Sequence, residues 1–257
     1  MSLRVVIPAR MASSRLPGKP LRDVGGKSML HYLVDRLAPA LASGAIDSLL
    51  IATDSDEIVT AAQVLGAEVC LTAASHRSGT ERIAQAAALR GYHDDDIIVN
   101  VQCDEPLLPL TLIEQVGEAL QNNPAAVMAT LSEPLQYEEE LMDPNIVKVV
   151  TDCDGYALYF SRAAIPWYRD GFNQTPQQMP AEFIYHRHIG LYSYRVSFLK
   201  QYLALPASPL EHIEALEQLR VLYHGEKIHV VTAQALPGPG VDTEEDLQRL
   251  RTLIAKC

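Results

Sequence analysis

Leu3-Arg4-Val5-Val6-Ile7-Pro8-Ala9-Arg10-Met11-Ala12-Ser13-Ser14-Arg15-Leu16-Pro17-Gly18-Lys19-Pro20 opens the chain with a β-branched run that breaks into a loop bearing three cations and two hydroxyls. Leu3 to Ile7 has the apolar, branched composition of a buried strand, and Pro8-Ala9-Arg10 ends it. Downstream, Leu30, Leu33, Val34, Leu37 and Leu41 fall at helical spacing within Met29 to Leu41. Leu49 to Ala52 reads as a second strand, and Ser55 or Asp56 caps a helix through Val64. Val69 to Leu71, Thr80 to Leu89 and Ile97 to Val101 continue as strand, helix and strand.

Strands alternating with helices of about ten residues predict right-handed βαβ units, hence an α/β fold with a mostly parallel sheet flanked by helices. Ligands of such sheets bind beyond the carboxyl ends of the strands. The residues to read for chemistry are therefore Pro8-Ala9-Arg10, Thr53-Asp54 and Gln102-Cys103-Asp104-Glu105-Pro106. After about residue 145 the rhythm changes. Val147–Val150 and Tyr156–Phe160 flank the turn Asp152-Cys153-Asp154-Gly155, a hairpin pattern. A surface loop is expected over Asn173 to Pro180, followed by the segment His188 to Tyr194, a helix from Leu210 to Tyr223, a strand Ile228–Val231 and a helix from Thr243 to Ile254. The expectation is one domain, 1–257, with an antiparallel subregion inserted at about 145–205.

A net charge of −11 disfavours nucleic acid and anionic membranes as partners, because both attract basic surfaces. The N-terminus has no basic segment followed by an apolar one, and no run approaches a membrane span, so a cytoplasmic location is expected. Cys70, Cys103, Cys153 and Cys257 show no metal-ligand spacing and read as unpaired thiols.

Against that acidic background, Arg10, Arg15 and Lys19 form a local basic cluster with Ser13 beside them. Pro8, Pro17, Gly18 and Pro20 force turns that let the cations converge, as a triphosphate requires. Gly26-Lys27-Ser28 resembles the end of a P-loop, but that pattern needs glycine where Leu21 stands. Asp104, after the apolar strand Ile97–Val101, sits where a parallel sheet presents a Mg²⁺ ligand, and Mg²⁺ is content with one or two carboxylates plus phosphates and water. Asp242 or Thr243 caps the last helix, and Asp242 is either a cap alone or a cap that also shares the metal. Arg162, His186, Arg187, His188, Tyr192, Glu217 and Gln218 are polar positions among apolar neighbours in the second half. His212, His224 and His229 read as surface, and Asp94-Asp95-Asp96 as a solvated loop.

The opening segment resembles the cytidylyltransferases that activate acidic sugars. Ser78-Gly79-Thr80-Glu81-Arg82, Asn100-Val101-Gln102 with Asp104-Glu105-Pro106, Tyr156 to Arg162, Ile165-Pro166-Trp167, Arg187 to Tyr192, Ser208 to Glu211, Leu216 to Arg220 and Gly240 to Thr243 are similar to the 3-deoxy-manno-octulosonate (Kdo) cytidylyltransferases. The resemblance implies a nucleotide-diphospho-sugar transferase-like fold, and transfer of CMP from CTP to the anomeric hydroxyl of a 3-deoxy acidic sugar for lipopolysaccharide assembly. It places Pro8, Ala9, Ser13, Ser78, Gly79 and Gln102 with the three cations at the nucleotide. Gln102, Arg162, His188, Tyr192, Glu217 and Gln218 fall to the sugar, with Arg162 facing its carboxylate. Asp104 and Asp242 hold Mg²⁺, Asp104 joins Arg10, Arg15 and Lys19 as catalytic, and a homodimer is implied. The family usually has glycine where this chain has Cys103, which leaves 8-amino-Kdo open beside Kdo. A cytidylyltransferase for sialic or another nonulosonic acid, and a non-catalytic nucleotide-binding module, are the remaining alternatives.

Overall fold

The computed structural model describes residues 1–13, 15–174, 179–180 and 182–255. Residues 175–178 of the expected surface loop, and Cys257, lie outside them. In chain order the elements are β1 (Leu3–Ala9), α1 (Met29–Ser43), β2 (Ser48–Thr53), α2 (Asp56–Val64), β3 (Glu68–Leu71), α3 (Gly79–Leu89), β4 (Ile97–Asn100), α4 (Leu110–Gln121) and β5 (Met128–Pro134). There follow α5 (Glu138–Met142), β6 (Lys148–Thr151), β7 (Ala157–Ser161), β8 (His186–Arg195), α6 (Val196–Tyr202), α7 (Pro209–Glu214), α8 (Gln218–Tyr223), β9 (Ile228–Thr232) and α9 (Glu244–Ile254). The sheet is mixed but mostly parallel and is flanked by helices, as the alternation predicts. The chain divides into two compact units: residues 1–118, 191–204 and 234–257 make the first, 119–190 and 205–233 the second. Of the expected insertion, 145–190 and 205 fall in the second unit and 191–204 in the first.

In the first unit the strand order is β3-β2-β1-β4 with the last part of β8 at the edge. β1 pairs in parallel with both β2 and β4, and β4 meets β8 antiparallel, with Asn100 opposite Tyr192. Val5, Val6 and Ile7 are wholly buried, which is why the opening run carries no alternation. Of the two cap candidates for α2, Ser55 is the cap, its Oγ accepting from Ile58 N–H; α3 is capped in the same way by Ser78, whose Oγ accepts from Glu81 N–H.

In the second unit β5 pairs in parallel with β9, while β6 pairs antiparallel with β7 and with the first part of β8. The hairpin turn is closed by Asp152, whose N–H donates to Tyr156 O and whose Oδ1 accepts from Asp154 and Tyr156 N–H. The helix expected over Leu210 to Tyr223 is two helices. Ala215 adopts a left-handed φ of 53° between them, and α8 restarts after Glu217.

Two other expectations change. Asp96 is buried, accepting from Ser2 N–H, His93 N–H and Arg4 Nε–H, so only its neighbours Asp94 and Asp95 remain on the solvated side. His229 is half-buried rather than plain surface, hydrogen-bonded to Asn123 and edge-on to Tyr156.

Candidate functional site

The cationic loop folds back on itself. Gly18, at φ 67°, donates its N–H to Met11 O at 3.1 Å, which brings Lys19 back toward the end of β1. Leu16 is buried and packs in one cluster with Val24, Met29, Val241, Leu247 and Leu250. That cluster also fixes the segment ahead of α9. Val241 N–H donates to Asp104 O at 2.9 Å, stitching the Pro-Gly-Pro-Gly approach to the end of β4. Gly238 permits the close approach: a Cβ there would stand 2.6 Å from Leu107 Cβ.

The result is a pocket of about 240 Å³ lined by Pro8, Arg10, Ala12, Ser13, Arg15, Lys19, Pro20, Gln102, Cys103, Asp104 and Asp242. Lys19 Nζ lies 2.8 Å from Asp104 Oδ2 and 2.9 Å from Asp242 Oδ1, and Arg15 Nη2 lies 3.1 Å from Asp242 Oδ2. Two carboxylates separated by 138 residues of sequence therefore converge on one cation. Asp242 is not the cap of α9; Thr243 is, its Oγ1 accepting from Asp246 N–H. This frees the Asp242 carboxylate for the pocket. Arg10 is exposed and, among the described residues, has no carboxylate partner.

The other residues expected at the nucleotide lie around this pocket. Ala9 is buried beneath it at the end of β1. Gly79 abuts Pro8, where a Cβ would meet Pro8 Cγ at 3.3 Å and Gln102 Nε2 at 3.9 Å. Ser78 caps α3 beside it. Gln102 Nε2 donates to Asn100 Oδ1, and Asn100 stands opposite Tyr192 in the β4–β8 pairing. Cys103 is buried, and burial, with Asp104 adding and Lys19 opposing, pushes its thiol up to about 12. It is a neutral wall group, not a thiolate nucleophile. Glu105 is likewise raised to about 7 by burial and Asp104.

In the second unit, Arg162 follows β7, His188 lies on β8, Glu217 precedes α8 and Gln218 opens it. His188 is buried, its Nε2 2.9 Å from Thr130 Oγ1 and its ring edge-on to Phe160. Burial drives its pKa down to about 3, which makes it a neutral hydrogen-bonding group. Gln218 is buried with Nε2 unpartnered, while Glu217 is exposed. Arg162 Nε donates to Glu214 O and its Nη1 to Pro144 O.

The sequence profile of the cytidylyltransferase family matches residues 4–228. The chain is 54% identical over 255 residues to the 3-deoxy-manno-octulosonate cytidylyltransferase of Nitrosococcus oceani, covering 99% of this chain and 97% of that one. The chain belongs to the 3-deoxy-manno-octulosonate cytidylyltransferase family. The member from Pectobacterium carotovorum is 53% identical, with 99% of each chain covered. A solved CMP:2-keto-3-deoxy-manno-octonic acid synthetase, complexed with CTP, is similar at a TM-score of 0.88 and 36% identity, over 100% of this chain and 99% of that one. A cytidylyltransferase of Leptospira borgpetersenii, at 18% identity and a TM-score of 0.62, shares the fold over 100% of this chain and 88% of its own.

Within this cytidylyltransferase, the sequence reading omits Ala12 and Pro20 from the pocket wall, and Lys148 and Glu214 from the surroundings of Arg162. Pro20 is legible as the neighbour of Lys19. Nothing in the local pattern marks Lys148 or Glu214, because a charged residue in a strand or short helix reads as solvated.

Proposed function

We propose that this protein transfers CMP from CTP to the anomeric hydroxyl of Kdo, releasing pyrophosphate, in lipopolysaccharide biosynthesis. The observation that carries the reading is Lys19 held between Asp104 and Asp242 in a pocket that also presents Arg10 and Arg15. A site with paired carboxylates and surplus cations suits a polyanion and its counter-cation. Full-length similarity to named Kdo cytidylyltransferases supports the choice of nucleotide and sugar.

The donor set fits Mg²⁺. Two aspartate oxygens already reach one cation, and no cluster of three or more acidic, His or Cys ligands occurs among the described residues, which suits an ion that keeps water and phosphate oxygens. Asp104 and Asp242 hold it in this reading, and when bound it supplies charge neutralisation and a more acidic hydroxyl. Arg10, Arg15 and Lys19 bind the phosphates, Lys19 exchanging its aspartate partners for phosphate oxygens. The anomeric oxygen bonds to the α-phosphorus as the bond to the pyrophosphate oxygen breaks, and the chain's work is alignment and charge stabilisation. Ala9, Ser78, Gly79 and Gln102 take the cytidine, and Arg162, His188, Tyr192, Glu217 and Gln218, with Gln102, the sugar. The enzyme works in the cytoplasm as a homodimer formed through the 145–205 subregion; among the described residues no helix is long and apolar enough to cross a membrane.

Pyrophosphate release is to be followed with CTP and Mg²⁺ against Kdo, 8-amino-Kdo and sialic acid in parallel. Kdo is expected to turn over fastest. Faster turnover of either other acid reassigns the acceptor, and CTP binding without turnover of any acid returns the protein to a non-catalytic nucleotide module.

A further inference from the structure

Buried Lys148 and Ser161, with half-buried Glu214, form a polar group in the second unit that the phosphate chemistry does not use. Lys148 has no solvent exposure and Ser161 has 2%. A buried lysine ordinarily needs a carboxylate. Lys148 instead spends its three donors on three carbonyls: Asp143 O at 2.8 Å, Ile146 O at 2.6 Å and Arg162 O at 2.7 Å. Glu214 is equally unusual. A carboxylate beside an arginine ordinarily takes its guanidinium as a fork. Here Glu214 Oε1 accepts from Ser161 Oγ at 2.6 Å and Oε2 from the backbone N–H of Arg162 at 2.9 Å, while its main-chain oxygen accepts from Arg162 Nε at 2.8 Å.

Arg162 is therefore held at four points. Its N–H and Nε go to Glu214, its carbonyl to Lys148, and its Nη1 to Pro144 O, at 3.0 Å, in the turn that Lys148 also clamps. Every acceptor on the guanidinium is a carbonyl, and among the described residues no carboxylate forms an ion pair with it. Its charge is fixed in place by carbonyls rather than by a carboxylate fork. Glu214 also ends α7, and the left-handed Ala215 turns the chain directly into Glu217 and Gln218. One carboxylate thus joins Arg162 to the segment carrying two other candidate sugar residues.

We infer that Glu214 and Lys148 are positioning residues that hold Arg162 for the carboxylate of the sugar acid, and so set the preference for an acidic acceptor. The inference rests on the reading above in which Arg162 takes that carboxylate. Glu214 spends its carboxylate on Ser161 and the Arg162 main chain rather than on a fork to the guanidinium. Lys148 adds a second positive group beside Arg162, clamped by carbonyls and in the field of the Asp143 and Glu214 carboxylates.

The test is steady-state kinetics, varying Kdo and CTP separately, on wild type, Arg162→Ala, Glu214→Gln, Glu214→Ala, Lys148→Met and the Arg162→Ala/Glu214→Ala double variant, with thermal melts alongside. Glu214→Ala and Lys148→Met are expected to raise KM for Kdo about tenfold or more, the loss of one charge-assisted contact, while KM for CTP moves less than about twofold. The double variant should be no worse than Arg162→Ala alone, because the two residues act as one unit. Multiplying losses, or KM values that rise alike for Kdo and CTP, overturn the inference in favour of a general structural role. Should Glu214→Ala not fold, Glu214→Gln, which keeps the shape and one acceptor, decides: an unchanged KM for Kdo overturns it. If Arg162→Ala leaves KM for Kdo unchanged, the assignment of Arg162 itself fails; if Arg162→Ala raises it and neither Glu214 variant does, only the positioning role fails.

Discussion

The two units hold their cations in opposite ways. In the first, Lys19 and Arg15 are ion-paired with Asp104 and Asp242 at 2.8 to 3.1 Å. In the second, Lys148 and Arg162 are held by main-chain carbonyls. An ion-paired cation can exchange one anion for another at little electrostatic cost, so the first arrangement suits phosphates that arrive with their own metal. A carbonyl fixes geometry and leaves the charge uncancelled, so the second suits a site that must stay attractive to a carboxylate. The lesson is that a cation's partners in the resting protein indicate whether it is to be exchanged or kept.

The sharpest way to break this comparison is Lys19→Ala. It is expected to lower turnover about 100-fold or more, as for the loss of one charge-stabilising donor, and near-normal kcat in a pyrophosphate assay would remove Lys19 from the reaction. Leu16→Ala tests whether the exchange depends on a pinned loop. It should destabilise the fold by about 3 kcal/mol in denaturant melts, as for a buried leucine, and raise KM for CTP while leaving KM for Kdo alone.

The second unit has its own signature in pH. His188 titrates near 3 when folded and near its ordinary 6.5 when unfolded, so between those values the unfolded chain binds the extra proton. Its contribution is present above pH 6.5 and is lost as pH falls toward 3. Between pH 7 and 5 this removes about 2 kcal/mol. Thermal melts of wild type and His188→Asn should converge over that interval, and parallel curves would show that His188 is not held neutral by burial. The smallest effect belongs to Ala215→Gly. Relief of the left-handed backbone, partly offset by glycine's entropy, should stabilise by less than about 1 kcal/mol with unchanged kinetics.

Much of the first unit was legible because local chemistry decided it. Val5 to Ile7 read as a buried strand, Ser55 stands where a helix needs an acceptor, and Gly18 lies where the loop must reverse. Asp96 was misread because a run of three aspartates looks solvated, and only the arrival of Ser2 and Arg4 from β1 makes one of them buried. The helix over 210–223 was misread for a related reason. Ala215 is a good helix former, and its left-handed turn is imposed by Glu214 holding the β7 end on one side and Glu211 pairing with Arg220 on the other.

By itself, the sequence determined the alternating architecture, the cationic loop after the first strand, the acidic residue after the fourth, and the ordered motifs that mark the family. These depend on residues close in the chain, where periodicity and turn chemistry act. The tertiary structure decided which charges meet. Asp242 leaves the capping role to Thr243 and joins Asp104 on Lys19, because Leu16 and Val241 share one apolar cluster and Val241 bonds to the end of β4. Lys148 and Glu214 become partners of Arg162 because two antiparallel strands and a helix end bring together residues as far apart as 148 and 214. Burial and Coulomb energies depend on distance in space, and no local pattern encodes that distance.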